Sequence, residues 1–489
     1  MYKLLFLTLV ILVPTTVKSA NIFVSDRQFT EKNYGQAMQG YKLAAKVGNP
    51  HAYYQLGNMY YQGLGTEQDI VNALINFSLA GEQDFHNAQE VMDKLLNALS
   101  PESKKEVTNL LTEHLASHGQ ESINKKYFPV INYENLATKF TFDGSVELQT
   151  VFYPEDIDMD DYNGDEGASG FYDAEEEGIP GEDSLTLLIS SPRAPFLIID
   201  HDIHSDGSVR YTNEVQKFGL HLQLLNSFTL FGNAKPEFNG MPSHFASRSY
   251  LGAASYNRFT LLRENEAMYG TILKLVRRFK KSSSIEDEFN LAMLMLNFPW
   301  IEQEDFEAES RLLKLAEQGH SPAMFEYGFK LYREQRDIPQ AIKWIAEASK
   351  YGLVRAEYRL AKVLQNSPWV VPDEQKALFW YQSAIQKNDM SAAIRATEIL
   401  LTASDESLRD MDLAITYLNN MEDSQDNNPE FHYLKALTYR TGQQRDISLT
   451  VRHLKRAIMK AQMANWDTTE WDDLLSRIST GNVYVTDEN

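Results

Sequence analysis

The apolar positions of this chain follow two different periods, and the change between them divides it. Over residues 20–118, and again from Leu251 onward, they recur at three- and four-residue intervals, the spacing of a helix with one buried stripe. Asn49-Pro50 and Ser321-Pro322 each place a capping residue before a proline pre-set for the first helical turn. Gly63-Leu64-Gly65 supplies glycine where the chain must turn left-handed to close a helix. Asp69, Asp337 and Asp373 open second helices, since aspartate accepts from free backbone N–H groups and suits the positive helix end. Ala73, Ala341 and Ala377 follow four residues later, where a small side chain lets two helices cross closely. Phe77, Trp344 and Trp380 then fill the space between neighbouring helices. The pattern predicts helix pairs.

The pairs repeat. Ala37, Tyr41, Ala44, Ala45 and Gly48 recur 36 residues later as Ala73, Phe77, Ala80, Gly81 and Asp84. Gly319 and Ala323 recur 33 residues later as Gly352 and Ala356. The stretch Ala52-Tyr53-Tyr54-Gln-Leu-Gly57-Asn-Met-Tyr60-Tyr61-Gln-Gly63-Leu-Gly65, with Asp69, Ala73, Phe77 and Ala80, resembles a Sel1-like repeat, a relative of the tetratricopeptide repeat. The resemblance covers residues 30–118 and 285–478; the later units lack the Gly-x-Gly turn. It implies a right-handed α-solenoid that presents a concave face to other proteins. One helix pair cannot bury its apolar face alone, so units must stack. The N-terminal array is short for independent stability and is expected to lean on the middle of the chain.

In the middle, residues 119–250, alternation replaces helical spacing. Thr141 to Gln149, Phe196 to Asp200, Gly219 to Leu225 and Phe228 to Gly232 read as strands, and Asp206-Gly207 reads as a hairpin turn. The expected fold is mainly α: an α-solenoid in two arrays with a β-rich middle module, all-β or α+β. The expected divisions are a signal peptide at 1–19, N-terminal repeats at 20–118, the middle module at 119–250, a connecting helix at 251–284 and C-terminal repeats at 285–489.

Composition narrows the function. Lys3 followed by the apolar run Leu4–Val13 reads as a secretory signal cleaved after Ser19, too short to span a bilayer. The chain has no cysteine, which removes disulfides, thiolate metal sites, cysteine nucleophiles and a lipid-modified N-terminal cysteine. Export without cysteine fits a periplasm. No later segment reaches the length of a membrane span. The net charge of −22 argues against nucleic acid as a partner. Of that charge, −15 lies between Lys139 and Arg193, where no Lys or Arg occurs.

Candidate chemistry is sparse. Asp156, Asp158 and Asp160, in the acidic loop 154–183, have the alternate spacing of calcium ligands, but Asp161 and Gly167 stand where a calcium loop needs glycine and glutamate. A solvated acidic loop is the plainer reading. His201, Asp202 and His204 gather metal-capable side chains. On a strand, Asp200, Asp202 and His204 share one face and His201 takes the other, so a hairpin facing water is the plainer reading here too. His114 and His118 lack the glutamate of a zinc-protease helix. Tyr53, Tyr54, Tyr60 and Tyr61 crowd one helix as repeat core, with one or two free to meet a partner. No catalytic motif is present and nothing calls for a cofactor. The expected function is an exported scaffold for protein partners, such as the components of a cell-envelope complex. The alternatives are a ligand-binding or catalytic middle module, and cation-dependent recognition by the acidic loop.

Overall fold

The computed structural model of the protein describes residues 21–143, 195–219, 221–230, 234–441 and 445–480. The N-terminal helices are α1 (Ile22–Thr30), α2 (Tyr34–Ala45), α3 (Pro50–Gln62), α4 (Ile70–Gly81), α5 (Ala88–Asn97), α6 (Pro101–His118) and α7 (Gln120–Tyr127). Caps fall where the sequence places them. Asn49 accepts from Ala52 N at 2.7 Å, Asp69 from Asn72 N at 2.9 Å, and Gly63 closes α3 at φ +69°. The Ala-rich stripe Ala37, Ala44, Ala52, Ala73 and Ala80 is buried at the crossings.

The middle is α+β. After β1 (Thr141–Phe142) come β2 (Phe196–Ile203), β3 (Val209–Phe218), α8 (His221–Leu230), β4 (Pro236–Phe238), β5 (Met241–Pro242) and β6 (Phe245–Gly252). Two antiparallel three-stranded sheets form, ordered β3-β2-β6 and β1-β4-β5. The predicted hairpin joins β2 to β3, with Gly207 at φ +85° and Asp206 accepting from Ser208 N at 2.9 Å. Two expectations change, and a third lies mostly outside the described residues. The run from His221 to Leu230 is a helix, because Leu224 and Phe228, four residues apart, pack on the back of the sheet. The sheet continues through β6 to Gly252, where the sequence had suggested a return to helix. Of the alternation at 141–149, only β1 falls among the described residues.

The C-terminal half resumes the pairs: α9 (Arg258–Glu264), α10 (Glu266–Lys281), α11 (Ile285–Asn297), α12 (Glu307–Glu317), α13 (Ser321–Arg333), α14 (Ile338–Lys350), α15 (Val354–Asn366), α16 (Glu374–Ile385), α17 (Met390–Thr402), α18 (Met411–Asn420), α19 (Glu422–Gln425), α20 (Pro429–Thr441), α21 (Ile447–Met463) and α22 (Thr469–Thr480). In this half α13, α15, α17 and α20 are first helices; α14, α16, α18 and α21 are second helices. His320, not Ser321, caps α13 by accepting from Ala323 N. Among the described residues no helix is long and apolar enough to cross a membrane.

The two arrays are separate in sequence and joined in space. One hydrophobic core runs from Ile22 and Tyr41 through Phe128 and Phe140 to Trp369, Trp380 and Ala414. The N-terminal array leans on the start of the middle, where Gln120 N donates to Glu82 and Ile123 lies against Gly48, and also on the C-terminal second helices. Ile22 N donates to Tyr351 O (3.2 Å), Asn49 Nδ2 to Lys350 O (3.1 Å) and Trp380 Nε1 to Tyr127 O (2.8 Å). Residues 128–142 then run past the loops between helices: Asn132 N donates to Trp369 O, Val371 N to Val130 O, and Trp369 Nε1 to Thr138 O. This path delivers the chain to the opposite face, where the larger sheet sits against the first helices.

Candidate functional site

Strand β2 is buried along its whole length. A central strand of that kind is ordinarily apolar, yet it carries Asp200 and Asp202 on one face. Those carboxylates are ionised against the repeats. Asp200 accepts from Arg248 of β6 (2.6 and 3.0 Å) and from Arg355 of α15 (2.5 Å). Glu326 of α13 closes the circuit, accepting from Arg248 (2.8 Å) and Arg355 (3.0 Å). Asp202 accepts from Arg359 (2.5 Å) and from the Tyr358 hydroxyl (2.8 Å). Arg210 of β3 donates to Glu430 of α20 (2.9 Å), which also receives Arg395 of α17. Arg355, Arg359 and Lys362 stand at intervals of four and three on α15, so one helix face meets the sheet.

Burial opposes ionisation of Asp200, and the guanidiniums of Arg248 and Arg355 outweigh it, holding the carboxyl well below the usual carboxylate range. Asp202 is lowered likewise: burial resists, while Arg359 and Lys362 prevail. Glu430 is lowered against burial by Arg395 and Arg210. Paired charges at this depth fix geometry more than they add stability. These pairs join the sheet to first helices α13, α15 and α20.

Beside the seated sheet a cleft of about 340 Å³ remains open. Asn213, Glu214 and Val215 of β3, an outer strand of its sheet, form one wall. Phe289 and Met293 of α11 and Phe325 of α13 give an apolar floor. Leu353, Val354 and Arg355 at the start of α15, with Lys387 and Asn388, form the far rim. Asn49, His320 and Asp389 cap α3, α13 and α17 with side-chain acceptors, whereas Leu353 gives α15 none. The cleft thus combines an apolar floor, residues of an outer strand and a helix start without a side-chain cap.

The sequence-derived candidates scatter. Asp156, Asp158 and Asp160 lie outside the described residues, as do the acidic loop and the signal segment. Asp200, His201 and Asp202 do not face water: they are 2%, 0% and 5% exposed. The expectation of a solvent-facing hairpin fails because strand β2 is central and cationic helix residues meet its carboxylates. His201 does take the opposite face, edge-on to Phe228 at 4.9 Å. Asp202 is engaged by Arg359 and Tyr358, and His204 lies against Asp206 (3.3 Å) and the His244 ring (4.2 Å). Among the described residues no group of three or more His, Asp or Glu is placed to hold a metal. Tyr53 is core, Tyr54 donates to Asn87 (2.8 Å) and Tyr60 lies under Lys42; Tyr61, 43% exposed, is the most open of the four. His114 and His118 stack at 4.5 Å on α6.

Arg248, Glu326, Arg355, Arg359 and Glu430 were not singled out from sequence. The available signal was a charge at a position where repeat periodicity calls for a buried residue, as in Ala323-Met-Phe-Glu326-Tyr-Gly328.

Stacked helix pairs with first helices on one face and second helices on the other define an α-solenoid, here with a sheet seated on its first-helix face. The repeat itself is Sel1: the Sel1 repeat model matches residues 50–85, 321–352 and 354–389, and the chain carries Sel1 repeats in those segments. No curated protein matches the sequence. Among solved structures, a protective antigen present in uropathogenic Escherichia coli strains, displaying an SLR fold, is similar over 89% of this chain and 75% of its own, at 14% identity and a TM-score of 0.32. A Sel1 repeat protein from Oxalobacter formigenes is similar over 43% of this chain and 61% of its own, at 20% identity and a TM-score of 0.32. A sel1 repeat protein from Klebsiella pneumoniae subsp. pneumoniae is similar over 42% of this chain and 98% of its own, at 19% identity and a TM-score of 0.25.

Proposed function

We propose that this chain is an exported scaffold that holds a protein partner in the assembly or stabilisation of a cell-envelope complex, and that an extended segment of the partner lodges in the cleft beside β3. Sel1 repeats are in general non-catalytic scaffolds for protein interaction. The observation that carries the reading is the division of the first-helix face. The sheet takes one part of it through buried ion pairs, and the cleft keeps another part open next to an outer strand. Strand addition supplies affinity through main-chain hydrogen bonds, and the apolar floor supplies side-chain selection. The basic, apolar N-terminal run supports export.

The test is affinity capture from envelope extracts with the intact protein and with Asn290→Trp. Asn290 lines the cleft and is half-buried, so the larger ring fills the space without removing a core contact. The expected result is a specific partner captured by the intact protein and lost by the variant, with melting unchanged. Retention of the partner by the variant would move docking away from the cleft. Absence of any partner from the intact protein would refute the scaffold. Export is checked separately by fractionation and by the mass of the mature N-terminus, expected at Ala20.

A further inference from the structure

Helix α21, the second helix paired with α20, departs from the charge balance of the rest of the chain. Its 17 residues include Arg452, Lys455, Arg456 and Lys460 and no acid, in a chain of net charge −22. One face of it, with Leu454, Ala457, Ile458 and Ala461, is buried against the repeats. On the opposite face Arg452, Lys455, Arg456, Met459 and Met463 recur at intervals of three and four, so they form one stripe. All five are exposed, Met459 at 52% and Met463 at 71%. Among the described residues Arg452 and Lys455 form no ion pair, and Arg456 comes only within 3.6 Å of Asp426. Two residues past Met463, Asn465 Nδ2 donates to the carbonyl of Leu230 (2.8 Å), which sets another exposed apolar side chain at the same end of α21.

Charge alone does not single out this face. Lys274, Arg278 and Lys281 make an exposed basic stripe on α10, but no large apolar side chain is exposed on that helix. On α21 the cations run directly into two flexible, unbranched thioether side chains. The outside of a single helix presents a ridge, not a groove, so it fits a flat surface better than a peptide.

We propose that this face of α21 docks on the anionic phospholipid surface of a bilayer. Arg452, Lys455 and Arg456 meet the headgroup phosphates, and Met459 and Met463 enter the boundary of the acyl region. The negative charge of the whole chain does not prevent this contact. Screening acts over about 8 Å at physiological ionic strength, so the cations at the contact outweigh acids elsewhere on the molecule. The proposal goes beyond the partner cleft, which shares no residue with this face.

The experiment is co-sedimentation of the full chain with vesicles of phosphatidylglycerol and phosphatidylcholine in equal parts, and with phosphatidylcholine alone, at physiological ionic strength. Binding is expected to the mixed vesicles and not to phosphatidylcholine. Arg452→Gln with Lys455→Gln is expected to weaken it about fivefold per cation removed. Met463→Ser is expected to weaken it with melting unchanged, and Lys274→Gln with Arg278→Gln on α10 to leave it intact. Failure to bind the mixed vesicles overturns the proposal, as does equal binding to both compositions. Binding that survives the α21 substitutions, or that is lost with the α10 pair, overturns the assignment to this face. If polyglutamate binds through Arg452 and Lys455 while the vesicles do not, the occupant is an acidic polypeptide and the lipid reading falls.

Discussion

Single residues at the sheet interface carry the largest consequences. Asp200 is 3% exposed in its side chain and meets two guanidiniums. Asp200→Ala strands Arg248 without its principal partner, and breaking a buried pair from one side costs about 3–5 kcal/mol. The urea midpoint of the full chain is expected to fall accordingly; a change under about 1 kcal/mol would mean that water replaces the carboxylate. His201 sets a pH dependence on the other face. Burial pushes its imidazole down to about 4. Between the ordinary histidine range and that value the unfolded chain binds a proton that the folded chain does not, so stability falls as pH falls through this window and levels off below it. The depression is worth about 3 kcal/mol at its limit. His201→Phe keeps the ring against Phe228 and is expected to reduce the pH slope of the unfolding free energy by up to one proton in that window. Neither role was legible beforehand. The alternation placed Asp200 and His201 on opposite faces correctly, but nothing in a strand's own sequence says which face will be met by arginines 155 and more residues away.

At the scale of elements, the helix pairs were legible because their signals are local: a cap, a glycine stop, an alanine at the crossing. Gly328 shows how tight that crossing is. A Cβ there would stand 2.8 Å from Ala341 O and 2.9 Å from Trp344 Cβ. The carbonyl belongs to the helix backbone and cannot step aside, so Gly328→Ala is expected to cost about 1–3 kcal/mol by overpacking, despite alanine's better helix propensity. Calorimetry on the variant checks the sign; a stabilised protein would show that α13 and α14 slide apart freely. Helix α8 was misread because Leu222 and Leu224 also satisfy a two-residue alternation. Packing decided otherwise: Leu224 and Phe228 turn inward, while Leu222 is 60% exposed. Strand β6 was lost to its short, mixed composition, and its end depends on Gly252 at φ +62°, beside the Pro195 carbonyl.

For the whole molecule, the shared core predicts that the two arrays lose structure together. Asn49 is fully buried and has two jobs. Its Oδ1 caps α3 by accepting from Ala52 N, and its Nδ2 reaches Lys350 O at the end of α14, a partner 301 residues away. The first job was legible from Asn49-Pro50; the second has no local signature, which is why the arrays read as separate in sequence. Asn49→Ser keeps a capping oxygen and removes the bridge, leaving a buried carbonyl short of a donor at a cost of about 1–3 kcal/mol. Asn49→Ala removes both and is expected to cost about 1 kcal/mol more. Hydrogen exchange distinguishes this coupling from mere local fraying. In Asn49→Ser, protection should fall in α14 as well as in α3, because opening the joint exposes Ile22, Tyr41 and Phe128 together with their contacts on the second helices. Protection lost in α3 alone would show two energetically separate arrays that only touch.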